Sequence, residues 1–240
     1  MVKTKYISIL VLLFATTITI AMGQKRQVWN KPLYDEYPYH FGFALGVNTF
    51  TLRTVNSSTF FELEDIYSIE SERQPGFSIL MVGNLRLAHN LDLRFTPGLI
   101  FGQRNLHYLI DTVHDSQIQL TEHVMRIEST YATFPLLLKY RSIRLNNYRP
   151  YIIAGINYAF DLESEKKIRD QEKPKIRFNR HDVYLEAGFG IDYYFPFFKL
   201  SSEIKFSVGL LNILRRDDTQ YTDALEKVNS RIFSVLFYFE

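Results

Sequence analysis

The feature that most restricts the fold of this chain is a repeated alternation between large apolar residues and small or polar residues. In residues 41–48, Phe41, Phe43 and Leu45 share one parity, and glycine, alanine and asparagine occupy the other. Side chains two residues apart lie on the same face of a β-strand, so this alternation predicts strands with two different faces. Both parities of residues 149–160 are apolar, which leaves the facing of that strand open. Eight stretches can be read as strands: residues 41–48, 77–87, 91–104, 129–141, 149–160, 182–195, 199–211 and 231–239.

The links between these stretches alternate in length. The short links are residues 88–90, 142–148 and 196–198, and the long, polar links are residues 53–74, 105–128, 161–181 and 212–229. This alternation is typical of outer-membrane barrels, whose short turns face the periplasm and whose long loops face outward. Most of the stretches reach the roughly 9–11 residues that a tilted transmembrane strand needs. The sequence therefore predicts an all-β fold, an eight-stranded antiparallel transmembrane β-barrel with short periplasmic turns and long extracellular loops.

A soluble sandwich or a lipocalin-like barrel is the alternative, with the apolar parity inside and the polar parity in water. Residue size argues against it, because nine of the 11 glycines lie inside the proposed strands. Glycine weakens a strand and is not needed on a solvated face, but it leaves room where strands crowd around a narrow axis. Charges of both signs share this small-residue parity and predict ion pairs in the barrel lumen: Arg86, Asp92, Arg94, Lys139, Glu186, Asp192, Glu203 and Lys205.

Two prolines lie inside the proposed strands. Pro97 and Pro135 cannot donate a backbone hydrogen bond, although every strand of a closed barrel is paired on both sides. Each of them therefore predicts a β-bulge or a local bend.

The first residues look like a secretory signal. Lys3 and Lys5 precede an apolar run that ends near Ile20, and small residues at Ala21 and Gly23 suit a cleavage site before Gln24. A transmembrane anchor is the alternative, although the apolar run is short for a span of about 20 residues. The predicted division is a signal peptide at 1–23, a periplasmic N-terminal segment at 24–39 and an outer-membrane β-barrel at 40–240.

Composition narrows the possible functions. Removing Lys3 and Lys5 with the signal leaves 28 − 2 = 26 basic against 26 acidic side chains, so we predict no nucleic-acid partner. The absence of cysteine excludes disulfides, thiolate metal sites and cysteine nucleophiles. An eight-stranded barrel has an interior that side chains fill, so a porin is not expected. A barrel enzyme, an adhesive or stabilising barrel and a subunit of an envelope machine remain as candidates.

The enzyme candidate depends on residues 105–128, which contain His107, His114, His123, Ser116, Asp111 and Asp115. Serine with histidine could attack lipid esters, and three histidines could hold a metal. The histidine spacings match no ligand motif, and neither G-x-S-x-G nor H-E-x-x-H occurs. We therefore predict a protein that is not an enzyme and that uses no cofactor or metal.

Two segments are candidates for binding. The mixed charges of residues 161–181 suit a solvated loop, and its basic subset could meet lipopolysaccharide phosphates: Lys173, Lys175, Arg177 and Arg180. Residues 24–39 contain the only tryptophan of the chain and could form an interfacial belt, a plug of the barrel mouth or a docking strip for a partner. The predicted partner-binding residues of this strip are Trp29, Pro32, Leu33, Tyr34, Tyr37 and Tyr39.

The sequence also resembles a known family. The residues that carry the resemblance are Pro32-Leu33-Tyr34-Asp35, 38–43, 45–48, 76–78, 91–99, 134–140, 149–151, Ala154-Gly155 and the aromatic residues 237–240. With these motifs the chain resembles the PorT-family proteins of Bacteroidetes. The resemblance implies an outer-membrane protein required by the type IX secretion system, which exports proteins with a C-terminal sorting domain and delivers adhesins in species with gliding motility. It implies no catalytic residues.

The sequence thus predicts a non-enzymatic outer-membrane barrel that scaffolds type IX secretion through its N-terminal strip and its loops. Outer-membrane lipid, lipopolysaccharide and other type IX secretion proteins are the expected partners. A general envelope-stabilising or adhesive barrel is the first alternative, and a lipid-modifying barrel enzyme is the second.

Overall fold

A computed structural model of the chain describes residues 29–58, 66–114, 117–163, 176–216 and 220–240. The predicted signal peptide at 1–23 lies outside these residues, as does the beginning of the N-terminal segment.

Strands dominate the described residues, and helix is confined to two short turns. A 3₁₀ turn η1 spans Tyr34–Glu36, and a single helical turn α1 spans Gln220–Asp223. No helix in the described ranges is long and apolar enough to cross a membrane. The strands are β1 Tyr39–Asn56, β2 Ile66–Glu72, β3 Gln74–Ala88, β4 Leu91–Phe95, β5 Gly98–His114, β6 Gln117–Arg141, β7 Tyr148–Asp161, β8 Arg177–Phe178, β9 His181–Tyr194, β10 Lys199–Gly209, β11 Leu214–Arg215 and β12 Leu225–Phe239.

Ten of the described strand segments form one closed antiparallel sheet. The first strand β1 pairs with β3 on one side and with the last strand β12 on the other, which closes the ring. β2 with β3, and β4 with β5, each make one interrupted wall. The ring therefore has eight walls, in the order β1, β2/β3, β4/β5, β6, β7, β9, β10 and β12. The predicted eight-stranded antiparallel barrel is confirmed.

The short turns lie together at one end of the barrel, which we call the short-turn end. They join β3 to β4, β6 to β7 and β9 to β10. The opposite end, here the long-loop end, carries the longer connections and a small sheet formed by β8 and β11.

The two faces of the walls differ as the alternation predicts. Phe41, Phe43 and Leu45 of β1 are exposed on the outer surface, whereas Ala44 and Asn48 are buried inside. The facing of residues 149–160, which the sequence leaves open, is set in β7: Arg149, Tyr151, Ile153, Asn157, Ala159 and Asp161 face inward. Ile152 and Ile156 face outward.

The interior is layered along the barrel. An apolar cluster that includes Leu106, Tyr108 and Phe178 fills the long-loop end. A second cluster fills the middle with aromatic and aliphatic side chains, among them Phe50 and Tyr184. The charged residues concentrate nearer the short-turn end, so the lumen is only partly polar.

Two glycines show why the inward-facing aromatic rings need small residues beside them. A Cβ atom on Gly102 would overlap the ring of Phe50, and one on Gly190 would lie 2.5 Å from the ring and hydroxyl of Tyr151. Larger residues at these positions would displace the inward-facing aromatic rings.

One expectation is wrong, and of the two alternatives expected at the prolines, a β-bulge or a local bend, the β-bulge is not found. Residues 105–128 do not form a loop but extend β5 and β6 as a hairpin, paired from Asn105↔Arg126 to His114↔Gln117. No β-bulge occurs at either proline. Wall β4/β5 is interrupted at Pro97, yet its pairing with β6 keeps the same register on both sides, and the pairing of β6 with β7 continues through Pro135↔Asn157.

Both prolines keep a backbone hydrogen bond to a neighbouring strand through their carbonyl groups. The carbonyl of Pro97 accepts from the Met81 amide at 2.8 Å, and the carbonyl of Pro135 accepts from the Thr96 amide at 3.2 Å. Because both prolines still accept hydrogen bonds, each removes a donor from the ladder without displacing its neighbours.

Candidate functional site at the short-turn end

The described part of the N-terminal segment, from Trp29 to Pro38, lies across the short-turn end of the barrel. The Asn30 backbone amide donates to Asn147 Oδ1, and its side-chain amide donates to the Tyr194 carbonyl, both at 2.9 Å. The Tyr34 hydroxyl donates to Glu240 Oε2 at 3.3 Å. The segment is therefore fastened to turns and strand ends that are distant in sequence.

A carboxylate of this segment is the centre of a charged cluster. Asp35 is bonded to Arg141 at 3.1 Å, to Arg149 at 3.4 Å and to Arg144 at 3.8 Å. The Tyr194 hydroxyl also donates to Asp35, at 2.8 Å. The backbone carbonyl of Asp35 accepts from a fourth arginine at 2.6 Å. We call these four residues the arginine cradle: Arg86, Arg141, Arg144 and Arg149.

Tyr34 is the second anchor of the segment. Its ring stacks on His40 with a centroid separation of 4.2 Å and meets the edge of Tyr194 at 6.0 Å. Burial raises the pKa of the Tyr34 hydroxyl, and the neighbouring Glu240 carboxylate raises it further. The hydroxyl therefore stays protonated and serves as a neutral donor to Glu240.

The other side of the segment presents apolar and aromatic side chains to its surroundings. Trp29, Leu33, Tyr37 and Tyr39 are 53%, 57%, 60% and 61% exposed, and Pro32 is exposed as well. Of the six predicted partner-binding residues, Tyr34 hydrogen-bonds the barrel through its side chain, and the Trp29 ring lies 5.1 Å from the Arg144 guanidinium. Partner binding by the six residues stays a prediction.

Most of the predicted lumen charges lie in the half of the barrel nearer this end, and most of them pair with each other. Arg94 bonds Glu203 at 3.0 Å, Lys139 bonds Asp192 at 2.8 Å and Lys205 bonds Glu186 at 2.9 Å, all with side chains at most 3% exposed. The remaining two of the eight instead contact the cradle region: Asp92 pairs with Arg141 at 2.9 Å, and Arg86 donates to the carbonyl of Asp35.

Glu203 links opposite sides of the barrel. Its carboxylate accepts from Arg94, which lies four walls away, and from the hydroxyls of Tyr151 at 2.9 Å and Tyr238 at 2.7 Å. β4/β5 and β10 are the third and seventh of eight walls, so the Arg94–Glu203 pair spans the lumen. Side chains therefore bridge the interior, as expected for a barrel of this size.

Two members of this network were not predicted from the sequence. Glu240 bonds Arg94 at 3.2 Å and also pairs with Lys199. Both positions follow the inward parity of their strands, Glu240 after Tyr238 and Lys199 before Ser201, so the alternation could have identified them.

Comparisons with known proteins agree with this architecture. The family model described as "Outer membrane protein beta-barrel domain" matches residues 24–215. The chain belongs to this outer-membrane barrel family. It is therefore an outer-membrane β-barrel protein. No curated protein sequence matches it.

Several solved structures are similar to the chain. OprG from Pseudomonas aeruginosa has 12% identity and a TM-score of 0.45, with coverage of 82% of this chain and 94% of that one. Neisserial surface protein A has 13% identity and a TM-score of 0.38, with coverage of 84% and 98%. The N-terminal barrel domain of Pseudomonas aeruginosa OprF has 12% identity and a TM-score of 0.29, with coverage of 83% and 99%.

Within the described residues, the candidate catalytic and metal-binding residues do not lie together. His107 pairs with Val124 and His123 pairs with Tyr108, which places the two histidines on opposite faces of the β5/β6 hairpin. His107 Nε2 lies 3.1 Å from Glu72 Oε2. The described residues contain no group of three or more potential metal ligands. Ser116 and Asp115 lie outside the described residues, as do the side chains of His114 and Asp111.

The basic residues proposed for lipopolysaccharide are separated in the same way. Lys173 and Lys175 lie outside the described residues, Arg177 belongs to β8, and the Arg180 guanidinium lies 3.9 Å from the centre of the Phe160 ring. Binding by this subset stays a prediction.

Replacing Asp35 by alanine is expected to detach the N-terminal segment. Charge-assisted hydrogen bonds contribute roughly 1.5–3 kcal/mol each, so losing even one raises the detached population about tenfold or more. Trp29 is the only tryptophan of the chain and lies 5.1 Å from the Arg144 guanidinium, so its fluorescence reports docking. We expect a red-shifted emission and faster hydrogen exchange at the Tyr34 and Glu36 amides.

The matched control is Glu36→Ala. Glu36 is an exposed carboxylate in the same 3₁₀ turn and forms no ion pair with the described residues. Identical spectra for the Asp35 and Glu36 variants would show that the arginine cradle does not hold the segment.

Proposed function

We propose that this outer-membrane barrel is a PorT-like, non-enzymatic component or assembly factor of type IX secretion. In this proposal residues 1–23 are a signal peptide, and the short-turn end and the segment 24–39 face the periplasm. The barrel acts as a scaffold that holds the segment in one position for partner proteins of the secretion system.

The observation that carries the proposal is the two-sided N-terminal segment. Asp35 and Tyr34 fasten one side to the barrel, while the other side exposes Trp29, Leu33 and Tyr37. Aromatic side chains on a pre-ordered segment bind with a small loss of conformational entropy, which suits a docking surface. The PorT-family resemblance includes this same stretch, at residues 32–35.

The bridged lumen supports the scaffold role in a second way. Ion pairs and tyrosine hydroxyls meet at Glu203 inside the barrel, which leaves the barrel's ends and its outer wall to contact other molecules. A scaffold needs those surfaces and a rigid interior.

The first test is removal of the gene in the organism that encodes it, scored by export of proteins with a C-terminal sorting domain. We expect export to fail. Normal export would contradict the type IX role itself.

The second test addresses the segment. The variant Leu33→Ser/Tyr37→Ser, supplied to the deletion strain, is expected to reach wild-type levels as a folded, heat-modifiable barrel but to restore less than about a tenth of export, as loss of one or two binding anchors predicts. Tyr67→Ser is the matched control, because Tyr67 is 58% exposed at the long-loop end. Full restoration by the double variant would show that partners do not bind this face.

One observation favours the adhesive alternative. The β5/β6 hairpin continues as paired strands to His114 and Gln117, whereas the pairing of β5 with β2 ends at Ile110 and the described pairing of β6 with β7 ends at Tyr131. A projecting ribbon of this kind could contact other cells or surfaces. Shortening it by deletion of 111–120 would abolish adhesion under this alternative and leave secretion intact.

A further inference from the structure

We propose that the outer wall of the barrel carries a binding site for a phosphorylated glycolipid of the lipopolysaccharide type, formed by Arg73 and Arg231. The site lies toward the long-loop end, on the walls β2/β3, β1, β12 and β10. The inference rests on the outer-membrane location and on the proposed orientation, in which this end faces the cell exterior.

A hollow in the wall defines the position. It has a volume of about 710 Å³, and its lining combines two arginines and two threonines with aromatic rings: Arg73, Arg231, Thr49, Thr51, Phe206 and Phe233. Both arginines are exposed, and the two phenylalanines are 52% and 38% exposed. A cationic rim above an apolar floor matches an amphiphile with a charged headgroup.

Strand pairing brings the two arginines to one level. Arg231 of β12 lies opposite Thr51 of β1, and Arg73 directly precedes Gln74, which lies opposite Phe50. Arg73 and Arg231 therefore flank Thr51 on neighbouring walls. Since adjacent strands are about 4.8 Å apart, their Cα atoms are separated by roughly 10 Å. Two guanidinium groups at this spacing can converge on one phosphate.

On β1 and β12 this level is also where the apolar outer surface ends. On β1 the outward residues change from Val47 to Thr49, Thr51 and Arg53, and on β12 the outward residue after Phe233 is Arg231. Lipid phosphates lie at this boundary, just beyond the hydrocarbon region. The position therefore suits a headgroup phosphate, with acyl chains against the phenylalanines.

The charges around the hollow also favour an anionic ligand. Within the described residues neither Arg73 nor Arg231 forms an ion pair. The carboxylate next to Arg73 in sequence is turned away, because Glu72 accepts from Gln74 at 2.6 Å and from Asn105 at 3.2 Å. Guanidinium groups bind phosphate in a bidentate manner, and two of them without a carboxylate partner favour an anion. A diphosphorylated glycolipid supplies both the anion and the acyl chains.

The experiment measures diphosphoryl lipid A bound to the purified barrel in detergent, by native mass spectrometry over a range of lipid concentrations. We expect Arg73→Gln/Arg231→Gln to weaken binding at least tenfold, and increasing salt to weaken wild-type binding. Arg126→Gln, an exposed arginine on the β5/β6 hairpin, is the matched control and should bind like the wild type. Both substituted arginines are on the exterior, so heat-modifiable folding should be unchanged.

Three results would overturn the site: equal binding by the double variant, equal binding of lipid A from which the phosphates have been removed, or equal binding of phosphatidylglycerol. The last would indicate affinity for any phosphate lipid and would remove the glycolipid assignment. Because binding is measured on the isolated protein, its outcome is independent of the secretion experiments.

Discussion

Replacing Lys205 by methionine is expected to lower the free energy of unfolding of the barrel by about 3–5 kcal/mol, because the change leaves a buried carboxylate without its counter-ion. Lys205 and Glu186 are 2% and 1% exposed, and their Nζ and Oε2 atoms lie 2.9 Å apart. Asn157 and Ser207 donate only to Oε1 of Glu186, each at 2.9 Å. In the variant, Oε2 loses its partner. Urea titration of the barrel in vesicles measures the change.

A second substitution separates the charge effect from lost packing. Adding Glu186→Gln to Lys205→Met removes the unpaired charge, so the double variant should recover most of the lost stability. Lys227→Met, at an exposed position of β12, should change stability by no more than about 0.5 kcal/mol. If Lys205→Met matched Lys227→Met, the lumen pair would have no role in stability.

Replacing Phe189 by arginine is expected to lower the free energy of unfolding in vesicles by about 2–4 kcal/mol, the effect of a cation near the bilayer midplane. Phe189 lies well inside β9, is 55% exposed and lies between Ile152 of β7 and Ile204 of β10. All three side chains face outward. The guanidinium would therefore enter hydrocarbon rather than the lumen.

Phe197→Arg is the control for depth. Phe197 is 90% exposed in the short turn between β9 and β10, where the interface should limit the loss to about 0–1 kcal/mol. Equal effects of the two substitutions would mean that Phe189 does not face lipid.

Strand facing could be predicted from the sequence wherever the two parities differ in composition. In β1 and β10 they do, with Phe41 and Phe43 against Gly42 and Ala44. In β7 they do not, because Tyr151 and Ile153 pack inside with Leu137 while Ile152 faces out. The inward apolar residues of β7 pack against side chains of other strands. The composition of β7 alone does not show which side chains those are.

The extent of the strands was harder to predict. Charged residues and three histidines interrupt the apolar residues of 105–128 and favoured a loop, although Leu106 and Tyr108 keep the inward parity of β5 and pack in the apolar cluster. For this reason the sequence predicted that β5 ends at residue 104 and that β6 begins at residue 129, although both strands extend further.

The candidate site was predictable in its parts but not in its assembly. The eight lumen charges could be identified by parity, and the aromatic composition singled out the N-terminal segment. The contact between Asp35 and the arginine cradle joins residues up to 114 positions apart (35 to 149). Such a contact depends on the registers of several hairpins together, which a single sequence does not specify.

The way the N-terminal segment is held has a consequence for biogenesis. Asp35 gathers groups from β3, β6, β7, β9 and the β6–β7 turn, and Tyr34 reaches Glu240 beyond the last strand. These groups converge only after all the hairpins have inserted and the ring has sealed. A partner that recognises the exposed rings would therefore bind the fully folded barrel and not a partly inserted one. The docked segment would in this way signal that folding is complete.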